Sequence, residues 1–153
     1  MRLVLASTLV FTLAACGGAA PAANAPAGGS AAGAAPATFA EQVAAGQKLY
    51  GDNCAGCHGA GGEGTSKAPA VVGLKTGALP LDPPPTAKFR KVQFKTVADV
   101  AGFAVKAMPP NNPGGLPEAD YWSILAFDLK ANGIDLGSQK LDGTVAAGLT
   151  IPR

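Results

Sequence analysis

The sequence predicts an all-α domain, and three observations lead there. Two N-terminal boxes, Thr38 with Glu41 and Thr96 with Asp99, each open a run of apolar residues at helical spacing. A third helical stripe follows Pro117, and no segment makes a convincing strand.

The first helix is predicted over 39–52, where Phe39, Val43, Gly46 and Tyr50 fall on one face. The glycine-rich "GAGGEGTSKAP" and the proline-rich "GALPLDPPPTA" that follow are irregular stretches. Neither is a phosphate-binding loop, because there is no GxxxxGK[ST] and no strand before them. A second helix runs from Thr96 to about Ala107, with Val97, Val100, Ala101, Ala104 and Val105 as its stripe. Pro109 disfavours helix at Met108 and stops it there. The third helix has Pro117 in its first helical position, Trp122, Leu125, Ala126 and Leu129 as its stripe, and Asn132-Gly133 as its stop. Past 136 the pattern fades into a tail, 137–153.

The N-terminus predicts export. Met1 and Arg2 form a short positive region, and "LVLASTLVFTL" is an apolar run of signal-peptide length. It ends in "LAAC", which resembles the lipobox of bacterial lipoproteins; that resemblance implies a lipidated Cys16 and a signal peptide over 1–15. Ordinary secretory cleavage after "ANA" at Ala23 to Ala25 is the alternative, but Pro26 makes that site poor. Residues 16–38 are then anchor and linker, almost wholly Ala, Gly and Pro in the stretch after Cys16. Such a linker reaches about 65 to 70 Å if fully extended at ~3.1 Å per residue. The expected location is the periplasmic side of a bacterial membrane.

The remaining domain, 39–136, belongs to a chain with 6% aromatic residues, 21 Gly and 13 Pro, so its core is thin and a bound apolar cofactor would complete it. A formal net charge of +2 gives no reason to expect nucleic-acid binding.

"CAGCH" carries the chemistry. Cys54, Cys57 and His58 stand at i, i+3 and i+4, on one face if the turn is helical. A thioredoxin-type site needs a strand before the CxxC, and structural zinc needs a fourth N or S ligand. A plain disulfide leaves the adjoining histidine unexplained. C-x-x-C-H reads as attachment of one haem c, with thioethers from Cys54 and Cys57 and iron ligation by His58. For the second axial position there is no other histidine, and Met108 is the only methionine outside the signal peptide. A thioether is a neutral, soft ligand that raises the potential. Lys106 and an open iron are the alternatives to Met108.

In these features the chain resembles the class I monohaem cytochromes c of bacteria, over roughly 39–133: the Gly46/Tyr50 helix, "CAGCH", "APAVVG", the helix leading into "AMPP", and "DYWSILAFDLKANG". The resemblance implies a cytochrome c fold, three or more helices wrapped around one covalently attached haem. It also implies a close crossing of the first and last helices at Gly46 near 121–127, and a Pro69 carbonyl that accepts the proton of the histidine's second nitrogen. The chain departs from the shortest members in the proline-rich insertion 76–86 and in the tail.

The function expected is that of a lipid-anchored single-electron carrier rather than an enzyme. Its partners would be redox proteins: a donor dehydrogenase or quinol-oxidising complex, and a terminal acceptor. A haem sensor, a small peroxidase-like enzyme with a labile Met ligand, or a fixed cytochrome subunit of a larger oxidase or dehydrogenase complex are the alternatives. Lys88, Arg90, Lys91 and Lys95 form a positive run with no acidic residue from Pro83 to Ala98; it either steers an acidic partner or is a solvated face.

Overall fold

Thr38 opens the first helix as the local sequence requires: its hydroxyl accepts from the Glu41 N–H at 3.3 Å while the Glu41 carboxylate accepts from the Thr38 N–H at 3.1 Å. Helix α1, Phe39–Asn53, follows in a computed structural model that describes residues 35–83, 85, 87 and 90–152. The one-turn α2, Ala55–His58, comes next, and a long loop carries only a 3-10 turn, Leu74–Thr76. A second capping box, Thr96 with Asp99, starts α3, Val97–Ala107. Helix α4, Glu118–Ala131, and the short α5, Gly143–Gly148, complete an all-α fold with no strand among the described residues. Pro117 precedes α4 as an extended N-cap, φ −54° and ψ 147°, rather than occupying its first helical position. No described helix is long and apolar enough to cross a membrane.

Helices α1 and α4 pack against each other, and Gly46 is the reason they can. A Cβ at Gly46 would fall inside the carbonyl group of Ser123, a backbone atom that cannot step aside. One turn further on, the rings of Tyr50 and Phe127 meet at 5.1 Å between centroids. The main core gathers Phe39 of α1, Leu74 of the loop, Val97 and Ala101 of α3, and Leu125 and Leu129 of α4.

The segment 137–153, expected as a tail apart from the domain, is part of the same compact unit, Ala34–Arg153. Leu141 is fully buried, and its backbone is clasped by Gln42: the Gln42 Nε2 donates to the Leu141 carbonyl and the Leu141 N–H donates to Gln42 Oε1, both at 2.8 Å. Asp142 caps α5 by accepting from the N–H groups of Thr144 and Val145. Beyond α5, Val97 N–H donates to the Leu149 carbonyl and Ile151 N–H to that of Lys95. The boundary expected at 136 is therefore not a boundary in the packing. The sequence could not show it because the partner of Leu141 is 99 residues away.

Arg90 also differs from the expectation of a charged surface run. It is 7% exposed, its guanidinium donates to the carbonyls of Pro80, Leu81 and Asp82 at 2.5 to 2.6 Å, and it lies 4.0 Å from the Phe94 ring centroid. Lys91 and Lys95 remain exposed. Lys88, the expected signal peptide 1–15, Cys16 and all but the last residues of the expected linker lie outside the described residues.

Candidate haem attachment site

Helix α1 hands its chain directly to the CAGCH turn. The Cys54 N–H still donates to the Tyr50 carbonyl at 2.8 Å, and the Cys54 carbonyl then accepts from the N–H groups of Cys57 and His58 at 3.1 and 2.9 Å. This winds 54–58 into a helical turn and sets Cys54, Cys57 and His58 on one face. Gly59, at φ +87°, ends the turn in the left-handed region, where a side chain would be strained and would collide with the Glu63 carboxylate.

The loop then folds back over the turn. Gly64 N–H donates to the His58 carbonyl at 2.6 Å, Thr65 Oγ1 donates to the Cys57 carbonyl at 2.5 Å, and Val71 and Val72 N–H groups both donate to the Gly62 carbonyl. Gly64 has φ +85°, and a Cβ there would run into the backbone N of Ala70. This doubling back brings Pro69 over the imidazole. The His58 Nδ1 is 2.7 Å from the Pro69 carbonyl oxygen. A carbonyl can only accept, so Nδ1 carries a proton, and in the neutral ring Nε2 keeps its lone pair. That is the tautomer a metal-binding imidazole needs, with its other nitrogen held by a backbone carbonyl.

Met108 comes from another element. It is the C-cap of α3, extended at φ −126° and ψ 145°, and its N–H donates to the Ala104 carbonyl at 2.8 Å. The Tyr121 hydroxyl of α4 donates to the Met108 carbonyl at 2.7 Å and holds the residue where the helix stops. Lys106 is exposed in the last turn of α3. Pro69, Cys54, Cys57 and His58 thus form one constellation, and Met108 is positioned through α4.

Four residues contribute to the site in ways the sequence did not show. Tyr50 is almost fully buried, and its hydroxyl donates to the Gly59 carbonyl at 3.1 Å, tying α1 to the end of the CAGCH turn. Burial, then the charges of Asp128, Cys54 and Glu63, push its phenol well above the ordinary range. Asn132, expected only as a helix stop, accepts from the N–H groups of Gly73 and Leu74 and donates to the Val71 carbonyl, pinning the loop to α4. Tyr121 fixes Met108. Asp128 retains some exposed surface as a residue, yet its Oδ1 is out of reach of solvent and has no hydrogen-bond partner. Burial pushes its carboxyl up to about 8. A carboxylate three residues past Leu125 in an otherwise apolar sector was the available signal for it.

Both thiols are free. Burial, followed by the charges of Asp128 and Cys57, pushes the Cys54 thiol up to about 12, so it is uncharged at neutral pH. No three His, Cys, Asp or Glu side chains among the described residues group as they would around a bare metal ion. Two sulfurs and an imidazole on one face instead suit a flat, apolar group with its own metal.

Residues 41–127 match the family described as cytochrome c oxidase, cbb3-type, subunit III. The chain belongs to this family. Among solved structures, the cytochrome c domain is similar to the crystal structure of the sulfane dehydrogenase SoxCD from Paracoccus pantotrophus, at 30% identity and a TM-score of 0.54. The match covers 72% of this chain and 53% of that one, so the chain spans about half the length of this relative. No curated protein matches. The fold is that of a cytochrome c, whose chemistry is haem-based electron transfer with covalently bound haem c. The residues present fit that group: two free thiols one turn apart and an imidazole whose Nδ1 is held by the Pro69 carbonyl.

Proposed function

We propose that the chain is a membrane-tethered single-electron carrier with one haem c. In this reading Cys54 and Cys57 attach the haem, His58 Nε2 and the Met108 thioether are its axial ligands, and lipidated Cys16 with the linker tethers the domain on the periplasmic side. The observation that carries it is the His58 Nδ1 to Pro69 bond, because it leaves Nε2 as the metal-binding nitrogen on the face that holds both thiols. Bound there, the haem supplies an iron that takes up and releases one electron. The protein's part is positional: Pro69 sets the imidazole's tautomer and direction, Tyr121 holds the backbone of Met108, and Tyr50 ties the CAGCH turn to α1. With both axial positions filled by protein, little has to move when the charge changes, which suits electron transfer rather than ligand binding.

The visible spectrum of the ferric protein tests this reading. The expected result is a weak thioether-to-iron charge-transfer band, lost in Met108→Ala, with the reduced wild type indifferent to carbon monoxide. Absence of the band together with ready carbon monoxide binding would point instead to a haem sensor or small enzyme.

A second reading is favoured by the comparisons, since the matching family is described as an oxidase subunit and the similar structure is a dehydrogenase: a fixed electron-transfer subunit of a larger redox complex. Co-purification of the full chain with a large partner from native membranes would favour it. Recovery of a redox-active monomer would favour the mobile carrier.

A further inference from the structure

One face of α4 runs from Met108 to the loop that follows CAGCH. Tyr121, Leu125, Asp128 and Asn132 stand at i, i+4, i+7 and i+11. The first bonds the Met108 carbonyl, and the last bonds Val71, Gly73 and Leu74. Asp128 lies between them, in the wall of a narrow cavity of about 60 Å³ whose other walls are mostly apolar. Its charge is among the causes that raise the Cys54 thiol and the Tyr50 phenol, and the residue before it, Phe127, packs its ring on Tyr50.

Among the described residues that line this cavity or act on the same groups, each polar one is engaged elsewhere or cannot compensate a negative charge. The Asn132 amide donates to the Val71 and Asp128 backbone carbonyls, and its oxygen accepts from the loop. The Tyr50 hydroxyl from α1 donates to Gly59. Cys54, at the start of α2, holds its own proton, and Glu63 of the loop adds only negative charge. The facing residues of α3 and the C-terminal segment, Val97, Val100, Ile134 and Ile151, are apolar. Lys130, two residues on, is paired with Asp135.

We propose that Asp128 is a redox-linked proton site: its carboxylate takes up one proton from water as the haem iron takes up one electron from a redox partner, and returns that proton when the iron is oxidised. This rests on the haem reading above. Ferric haem carries one more positive charge than ferrous haem, and it is the only cation that reading brings to this side of α4. The oxidised centre therefore favours the carboxylate and the reduced centre favours the acid. Linkage makes the effect reciprocal, so protonation of Asp128 raises the affinity for the electron. Burial already holds the carboxyl near neutrality, up to about 8, where a modest change in nearby charge alters its protonation.

The test is a potentiometric titration of the haem-loaded full chain from about pH 5 to about pH 9, with Asp128→Asn as the variant. The wild-type midpoint should fall as pH rises within this window, with a limiting slope of about 59 mV per pH unit, the one-electron equivalent of a tenfold change in proton concentration. Asp128→Asn should remove that segment, leaving only the weaker slope of any haem propionates. Equal slopes in the two proteins, or a flat wild type, would overturn the proposal. If the variant does not fold, the infrared difference spectrum of wild type on reduction decides: a protonated carboxyl band must appear on reduction, shifted by isotopic labelling of aspartate, and its absence overturns the proposal. Haem retained covalently after denaturation, with a pH-independent midpoint, rejects the proton site alone. A preparation that attaches no haem rejects the haem reading as well.

Discussion

Residues 38–58 and residues 59–95 are held by different kinds of bond. In the first region each cap and each turn is closed by partners within four residues, from the Thr38/Glu41 box to the His58 N–H on the Cys54 carbonyl. In the second, backbone bonds such as Val71 to Gly62 are joined by side chains that bind backbone from further off: Asn132 reaches back 58 to 61 residues, and Arg90 gathers three carbonyls of the proline-rich stretch. Regular helix satisfies its own backbone groups, whereas a loop rich in glycine and proline needs donors and acceptors from elsewhere. The two meet at the His58 to Pro69 bond, where a local turn presents the imidazole and the distant-bonded loop orients it.

The sharpest way to break the helical region is Gly46→Ala. With a backbone carbonyl in the way, it should cost about 3 kcal/mol or more in urea unfolding, at the upper end for overpacking. Gly51→Ala, on the same helix with nothing near its Cβ, should stabilise by about 0.5 to 1 kcal/mol. Equal effects at the two positions would show that helix propensity, and not the α1/α4 crossing, decides this region.

The loop should break at Asn132. Asn132→Ala removes three long-range hydrogen bonds and should cost about 2 to 3 kcal/mol, with faster amide exchange at Gly73 and Leu74 and unchanged exchange in α1. Uniformly faster exchange would mean that the two regions are one cooperative unit. Arg90→Lys should cost about 1 to 2 kcal/mol, because an ammonium cannot reproduce the planar fork over three carbonyls. Indifference to that change, read by thermal denaturation, would show that the stretch holds by packing alone.

The smallest effects belong to the caps. Thr96→Ala should cost about 1 kcal/mol in thermal denaturation. Hydrogen bonds from backbone N–H groups hold the Glu41 and Asp99 carboxyls below their ordinary values. A lowered carboxyl contributes stability that is present above its unfolded value and is lost as pH falls through its folded value, so both boxes should weaken only in acid. Glu41→Gln and Asp99→Asn should flatten that acid limb, measured as stability against pH.

Legibility followed the range of the interactions. Thr38, Thr96 and the stop at Met108 act within a turn of themselves, and the helices built on them begin and end close to where the periodicity placed them. Arg90 looked like part of a solvated run because its neighbours Lys91 and Lys95 are exposed, and nothing local signals that three carbonyls 8 to 10 residues upstream will surround its guanidinium. Asn132 reads as a helix stop and is one, but its side chain also organises the loop. The 137–153 segment has too little periodicity to read, and its place is set by Gln42 and by an isolated bridge between Thr96 and Thr150.

By itself the sequence determined the three long helices and the one-turn spacing of Cys54, Cys57 and His58, because each follows from spacing within a few residues, whereas the close approach at Gly46 was implied only by the family resemblance. Only the tertiary structure decided that Arg90 turns inward, that the C-terminal segment closes the core and that Asp128 is left with a sealed, unpartnered oxygen. These outcomes depend on which backbone and side-chain groups arrive from distant parts of the chain, and a hydrogen-bonding group does not carry its partner's address in its own neighbourhood.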